Sequence, residues 1–366
     1  MSLLALSTRK GLLLVRDAGD RFVLLSESFL GARVSLTAQD PRDGVLYACL
    51  DHGHWGVKFH RSTDLGKTWS ELDAPKYPEG SEVRPGTAAV LKYLWGFGFP
   101  SSKRPGQFYL GSEPGGLFAA AEQGATITLN ESLWNHPSRP EFWFGGGRDE
   151  AGIHSICIDP RDDDHLLVGV SCSGVFESRD GGQSWNPKNK GLRADFLPNP
   201  ESELGHDPHL LVQCRDQPHK LWQQNHCGVF HSDDGGANWR DVSQPEAGVK
   251  FGFAIQVDPQ DGDVAWVVPA IADEVRVAID RKLFVAQTTD GGKNWRQFRA
   301  GLPQEHSYDF AYRHGLALCG DHLALATAGG SLFTSRDRGE SWRNFSTQLP
   351  PIYAVCHIDE RLDPSS

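Results

Sequence analysis

One eight-residue pattern recurs along this chain and limits what it can fold into. Ser/Thr-x-Asp-x-Gly-x-x-Trp stands at Ser62–Trp69, Ser178–Trp185, Ser232–Trp239, Thr288–Trp295 and Ser335–Trp342. Two degenerate copies complete the series. One runs from Gly11 through Asp17 to Phe22, with Phe in place of Trp. The other, Gly116 to Gly124, carries Glu122 in place of Asp and lacks the Trp. The central acidic residues are then Asp17, Asp64, Glu122, Asp180, Asp234, Asp290 and Asp337, separated by 47, 58, 58, 54, 56 and 47 residues. A near-constant period of this length marks one supersecondary unit repeated around a ring.

Each residue type in the pattern has a local task. The Asp carboxylate accepts backbone N–H bonds from its own turn, and the Ser or Thr hydroxyl offers a second local bond. The Gly two residues after the Asp takes a positive φ, which only Gly adopts cheaply. The Trp supplies apolar area to pack between neighbouring units. Seven chemically similar copies cannot all be one catalytic site, so the turn is read as structural.

The remainder of each unit reads as strand, Asp-Pro turn, strand, loop and strand before the motif, as in Ile153–Pro160 followed by Gly174–Phe176. The expected fold is all-β, a seven-bladed β-propeller occupying residues 1–366 as a single domain. Asp17 lies too early to have its own first strand. Residues 352–358 (Ile-Tyr-Ala-Val-Cys-His-Ile) match the Ile153–Asp159 pattern, so this C-terminal strand is expected to complete blade one, close the ring and remove free sheet edges. Composition agrees: 40 Gly, 22 Pro and 39% hydrophobic residues suit many short strands better than long helices.

The formal net charge of -11 disfavours nucleic acid and anionic membrane as partners. No apolar run has the length of a membrane span. The first residues lack the charge-then-apolar order of a secretory signal. Seven cysteines without a CxxC spacing argue against a disulfide framework. A reduced, cytoplasmic protein is expected. Oligomeric state leaves no mark in the sequence.

The repeat also sorts residues by face. The start of each inner strand, the loop between second and third strands, and the connections between blades share one face; the acidic turns lie on the other. His154, His209 and His314 occupy the first inner position of three blades, and His226 sits in a loop on the same face. Histidines around an open cavity suit a divalent metal such as Zn, Mn or Fe, so these four are the candidate ligands, with Asp207 as a carboxylate to orient one of them. Glu113, His54, Arg9 and Arg276 are the candidate catalytic residues. Arg313, Trp143 and His52 are candidates for binding substrate, with Arg9, Arg276 and Arg313 available to an anionic group. The same inner position also has a structural use, in which each histidine bonds the neighbouring blade. Two long connections, Leu129–Ala151 and Asn186–Pro208, are expected to reach this face.

These motifs resemble the BNR or Asp-box repeat proteins, a group that includes sialidases, tandem-propeller xyloglucanases, sortilin-type receptors and a photosystem II assembly factor. The likeness is nearest to the bacterial exo-sialidase-like (WD40/YVTN/BNR-like) seven-repeat set, at His52–Lys58 (HGHWGVK), Gly111–Phe118 (GSEPGGLF) and Asn225–Phe230 (NHCGVF). The Arg-Ile-Pro motif of sialidases is absent from the chain. The leading expectation is a metal-assisted hydrolase or lyase acting on a small, polar, anionic substrate at the channel mouth. The resemblance to the assembly factor implies a non-enzymatic protein-binding scaffold as an alternative. A sialidase-like glycosidase using a carboxylate pair is the second alternative, with Glu113, Glu203 and Glu274 available.

Overall fold

A computed structural model describes residues 2–19 and 21–363 of the chain. Seven four-stranded antiparallel sheets carry the fold. Blades two to seven each use four consecutive strands, and blade four is representative: Gly152–Asp159, Asp162–Ser171, Gly174–Ser178 and Asn186–Pro187. Each inner strand contacts the inner strand of the next blade, and the ring closes on itself. The ends of the expected 1–366 span, Met1 and residues 364–366, lie outside the described residues.

Closure occurs as the repeat requires. Ile352–Ile358 is the innermost strand of blade one and pairs antiparallel with Ser2–Thr8, from Leu3 opposite Ile358 to Thr8 opposite Ile352. Blade one is completed by Gly11–Asp17 and Phe22–Ser28. Asp17 does more than bond its own turn. Its carboxylate accepts from Gly19 N (3.0 Å), and from Thr334 Oγ1 (3.0 Å) and Arg336 Nη2 (2.5 Å) of blade seven. The degenerate first copy therefore clamps the last blade to the first.

The intact motifs behave alike. In blade five, Asp234 Oδ1 accepts from Ser232 Oγ (2.9 Å) and Asn238 N (2.9 Å), while Gly236 N donates to Ser232 Oγ (2.9 Å). Gly236 has φ 83°, which explains the glycine. The Trp side chains cross to the preceding blade: Trp239 Nε1 donates to Lys188 O and Trp295 Nε1 to Val242 O. The core lies between blades, where Trp222, Val257 and Phe284 form one cluster and Trp266, Leu325 and Trp342 another. Each large side chain buried this way contributes about 1.5–3 kcal/mol. The seven cysteines are free thiols, and no helix among the described residues is long and apolar enough to cross a membrane.

Candidate functional site

The inner-strand starts, second-to-third-strand loops and blade connections meet around a cavity of about 420 Å³ at the mouth of the central channel. Both long connections reach it. Leu129–Ala151 delivers Phe144, Gly146, Gly147 and Arg148, and Asn186–Pro208 delivers Phe196 and Asp207. Gly146 is required here because a Cβ would lie 2.4 Å from Cys172 Sγ.

Arg313 is the most unusual group in the wall. Its guanidinium carbon lies 4.7 Å from the Trp95 ring centroid and 5.4 Å from that of Phe253. Its Nε is buried with no hydrogen-bond partner. No carboxylate among the described residues lies within ion-pair distance of it, and burial lowers its pKa. The other arginines of the wall are compensated: Arg276 by Asp273, Arg148 by Glu113 and Arg33 by Asp51. Asp207 acts on Arg313 electrostatically without a direct ion pair, and a guanidinium with an unbonded Nε favours an anionic ligand.

A second group sits beside it. Asp207 Oδ1 accepts from Ser171 Oγ (3.0 Å) and Cys172 N (3.1 Å). Asp207 Oδ2 lies 3.4 Å from His209 Nε2 and 3.6 Å from His226 Nδ1. Burial opposes the charge on Asp207, but the nearby His209, His226 and Arg313 hold its pKa well below the usual range. Burial lowers the pKa of His209; the adjacent Asp207 carboxylate raises that of His226 against its own burial. His209 Nδ1 bonds Gly252 O of the next blade at 2.6 Å.

Of the four histidines expected as metal ligands, the structure brings His209 and His226 together, and adds Asp207. His154 and His314 stand apart. Both ring nitrogens of His154 are engaged, by Ser155 Oγ (2.7 Å) and Pro208 O of the next blade (2.7 Å). His314 Nε2 donates to His154 O at 3.2 Å, and burial pushes its pKa down to about 4. His154 thus serves the contact with the next blade, the structural use of the shared inner position, whereas His314 of blade seven reaches across the channel to blade four and also lines the cavity.

The remaining candidates divide similarly. Arg276 and Arg313 line the cavity. Arg9 is exposed at the rim, close enough to act electrostatically on Tyr312 and Tyr353 of the wall. Glu113 is 1% exposed and reaches the cavity only through Arg148, whose guanidinium carbon it holds 4.3 Å from the Tyr93 ring centroid. His54 and His52 are exposed outside the mouth; His52 borders a separate shallow hollow with Phe29, Leu30 and Trp55. Trp143 is corrected from a binding residue to a core residue. Its ring packs on Phe176, Arg139 lies over it at 4.6 Å, and its Nε1 donates to Ser138 Oγ. The apolar gap between blades takes the indole, because nothing at the wet mouth buries as much of it.

Sequence reasoning missed Tyr93, Trp95, Tyr312 and Tyr353, which form much of the wall. Tyr93 and Trp95 open the inner strand Tyr93–Gly98 of blade three, and Tyr353 lies in the closing strand. Aligning the inner-strand starts of all seven blades would have found these three.

No protein-family model matches the chain. A probable oligoxyloglucan-reducing end-specific xyloglucanase of Neosartorya fischeri is 28% identical over 203 residues, 52% of this chain and 23% of that protein. The vacuolar protein sorting/targeting protein 10 of Coccidioides posadasii is 33% identical over 79 residues, 22% of this chain and 5% of that protein. The chain thus spans less than a quarter of either relative. Among solved structures, the GH74 xyloglucanase from Xanthomonas campestris superposes with a TM-score of 0.64 at 20% identity, covering 98% of this chain and 52% of that one. YCF48 from Cyanidioschyzon merolae gives 0.55 at 15% identity, covering 90% and 89%. At these identities the structures show the fold alone: a seven-bladed propeller, about half the length of the xyloglucanase.

Proposed function

We propose that the top-face cavity is the active site of a hydrolase whose substrate is a small acidic carbohydrate. Arg313 carries this reading: a partly exposed guanidinium whose buried Nε has no partner, set between Trp95 and Phe253, suits a carboxylate on a ligand. A cavity of about 420 Å³ fits a molecule of sugar size. The partly exposed Tyr312 and Tyr353 supply flat faces for sugar C–H groups, and their hydroxyls supply hydrogen bonds. The xyloglucanase relatives are consistent with hydrolysis of a saccharide. The paired-carboxylate route is less well supported than a reaction centred on Asp207, His209 and His226. Asp51 and Asp273 are tied to arginines, and Glu113 lies behind Arg148.

Calorimetric titration with glucuronate and galacturonate, beside glucose and galactose, tests the substrate class. The acids bind at least about tenfold more tightly, and Arg313→Met removes the difference. Equal affinity for acid and neutral sugars overturns the acidic reading. Release of nitrophenol from nitrophenyl uronides tests the hydrolase; binding without any turnover overturns it.

The second reading is a protein-binding scaffold. The hollow between blades one and two favours it, with Leu30 68% and Trp55 70% exposed. Under that reading Trp55→Ala weakens partner capture and Arg313→Met does not.

A further inference from the structure

We propose that Asp207, His209 and His226 bind one divalent first-row metal ion, such as Zn²⁺, on the cavity wall. The distances carry the inference. A charge-assisted hydrogen bond between imidazole and carboxylate is about 2.7–2.9 Å long. Asp207 Oδ2 instead stands 3.4 Å from His209 Nε2 and 3.6 Å from His226 Nδ1. With metal–nitrogen and metal–oxygen bonds of about 2.0–2.2 Å, the edge of a tetrahedral site is roughly 3.4 Å. The three donor atoms lie within 4.8 Å of one another, spaced as ligands rather than as hydrogen-bond partners.

The surrounding bonds leave the right atoms free. His209 Nδ1 meets a carbonyl, Gly252 O at 2.6 Å, so that nitrogen carries the proton. The Nε2 lone pair of the neutral ring then faces a carboxylate oxygen, two acceptors with no hydrogen between them. A cation resolves that conflict. Asp207 is oriented through its other oxygen, by Ser171 Oγ and Cys172 N, which leaves Oδ2 for the ion. His226 is held by its own backbone N–H on Asp207 O at 2.9 Å. This is the outer-shell support that metal-ligating histidines and carboxylates require.

The site also has an open side. The Asp207 and His209 side chains are only 11% and 2% exposed, while His226 is 30% exposed toward the cavity. Two nitrogens and one oxygen leave a fourth position for water or substrate, the arrangement of a catalytic rather than a structural zinc site. Arg313, Arg276 and Asp273 share the wall. The two arginines favour an anionic ligand that bridges the ion and Arg313. The inference concerns the same cavity as the hydrolase reading but is independent of it, since metal content is measured without substrate.

The test is element analysis of untagged protein, stripped with dipicolinate and reconstituted with Zn²⁺. Wild-type protein is expected to retain about one equivalent per chain, and Co²⁺ in its place to give the visible bands of a tetrahedral site. Asp207→Asn and His226→Ala each lose at least about tenfold in Zn²⁺ affinity, while His54→Ala keeps it. His226 is only partly buried, so its variant is expected to fold even where the Asp207 variant does not, and circular dichroism checks this. Reconstituted wild-type protein holding below about a tenth of an equivalent overturns the proposal, as does unchanged metal in folded His226→Ala. So does a nuclear magnetic resonance spectrum with both His209 nitrogens protonated. A metal-loaded protein that turns over no uronide sinks the hydrolase reading and leaves this one standing.

Discussion

The two faces of this propeller use the same residue types in opposite ways. On the acidic-turn face every intact Asp is saturated by its own turn: Asp64, Asp180, Asp234, Asp290 and Asp337 each accept a backbone N–H and a side-chain donor within four residues. On the cavity face Arg313 Nε has no partner, and Asp207 Oδ2 faces two histidines across gaps too long for good hydrogen bonds. The difference teaches where binding capacity resides. The repeated carboxylates have their bonding needs met within their own turns, whereas Arg313 and Asp207 are left with unmet ones that a ligand can fill.

Several measurements break or sharpen that contrast. The largest effect is expected from truncation after Leu349, which removes the closing strand Ile352–Ile358 and exposes the edge of Ser2–Thr8. Both faces should be lost together, and circular dichroism should record no cooperative melt; a melt like that of the intact chain refutes ring closure. Trp143→Ala comes next, at about 3–5 kcal/mol of stability in chemical denaturation, with the affinity for acid sugars retained. Lost affinity at unchanged stability would return Trp143 to the cavity face.

Ser232→Ala leaves the Gly236 N–H unpaired in the turn and should cost about 1–3 kcal/mol while leaving the cavity's ligands unaffected. The pH dependence is smaller. Burial pushes His357, on the closing strand, down to about 4, and the nearby His322 adds to this. The unfolded chain then takes up the proton first, so stability falls as pH drops from about 6.5 to about 4. His357→Gln should flatten that window in melts between those values. Arg313→Met should change stability least, because Arg313 is only partly buried and has no direct ion pair to lose. A clear loss of stability there would make Arg313 a structural residue and erase the contrast.

Much of this architecture was legible in the residues. The acidic turns, their glycines and their tryptophans stand as read, because each depends on bonds within a few residues. Closure by 352–358 was legible because the repeat was short by one strand at one end and long by one at the other. The two long connections and Arg313, Arg276, His209 and His226 were placed at the mouth by strand order alone. His154 and His314 resemble His209 in the repeat, yet only their partners in other blades tell them apart. Asp207 was read as a support for a ligand histidine and stands between two of them instead. Trp143 and Glu113 were misplaced for the same reason: whether a side chain turns to the core or the cavity depends on packing from another blade.

By itself the sequence determined the seven blades, the face on which each loop emerges and the saturation of the acidic turns. These follow from a period and from hydrogen bonds that close within one turn. The tertiary structure alone decided that Arg313 lies unpartnered between Trp95 of blade three and Phe253 of blade six, and that Asp207, His209 and His226 converge. Arg313's neighbours lie 218 and 60 residues away in sequence, and the bond orienting His209 comes from a carbonyl 43 residues on. No local rule couples positions so far apart. Closing the ring does, by forcing seven inner strands around one narrow axis.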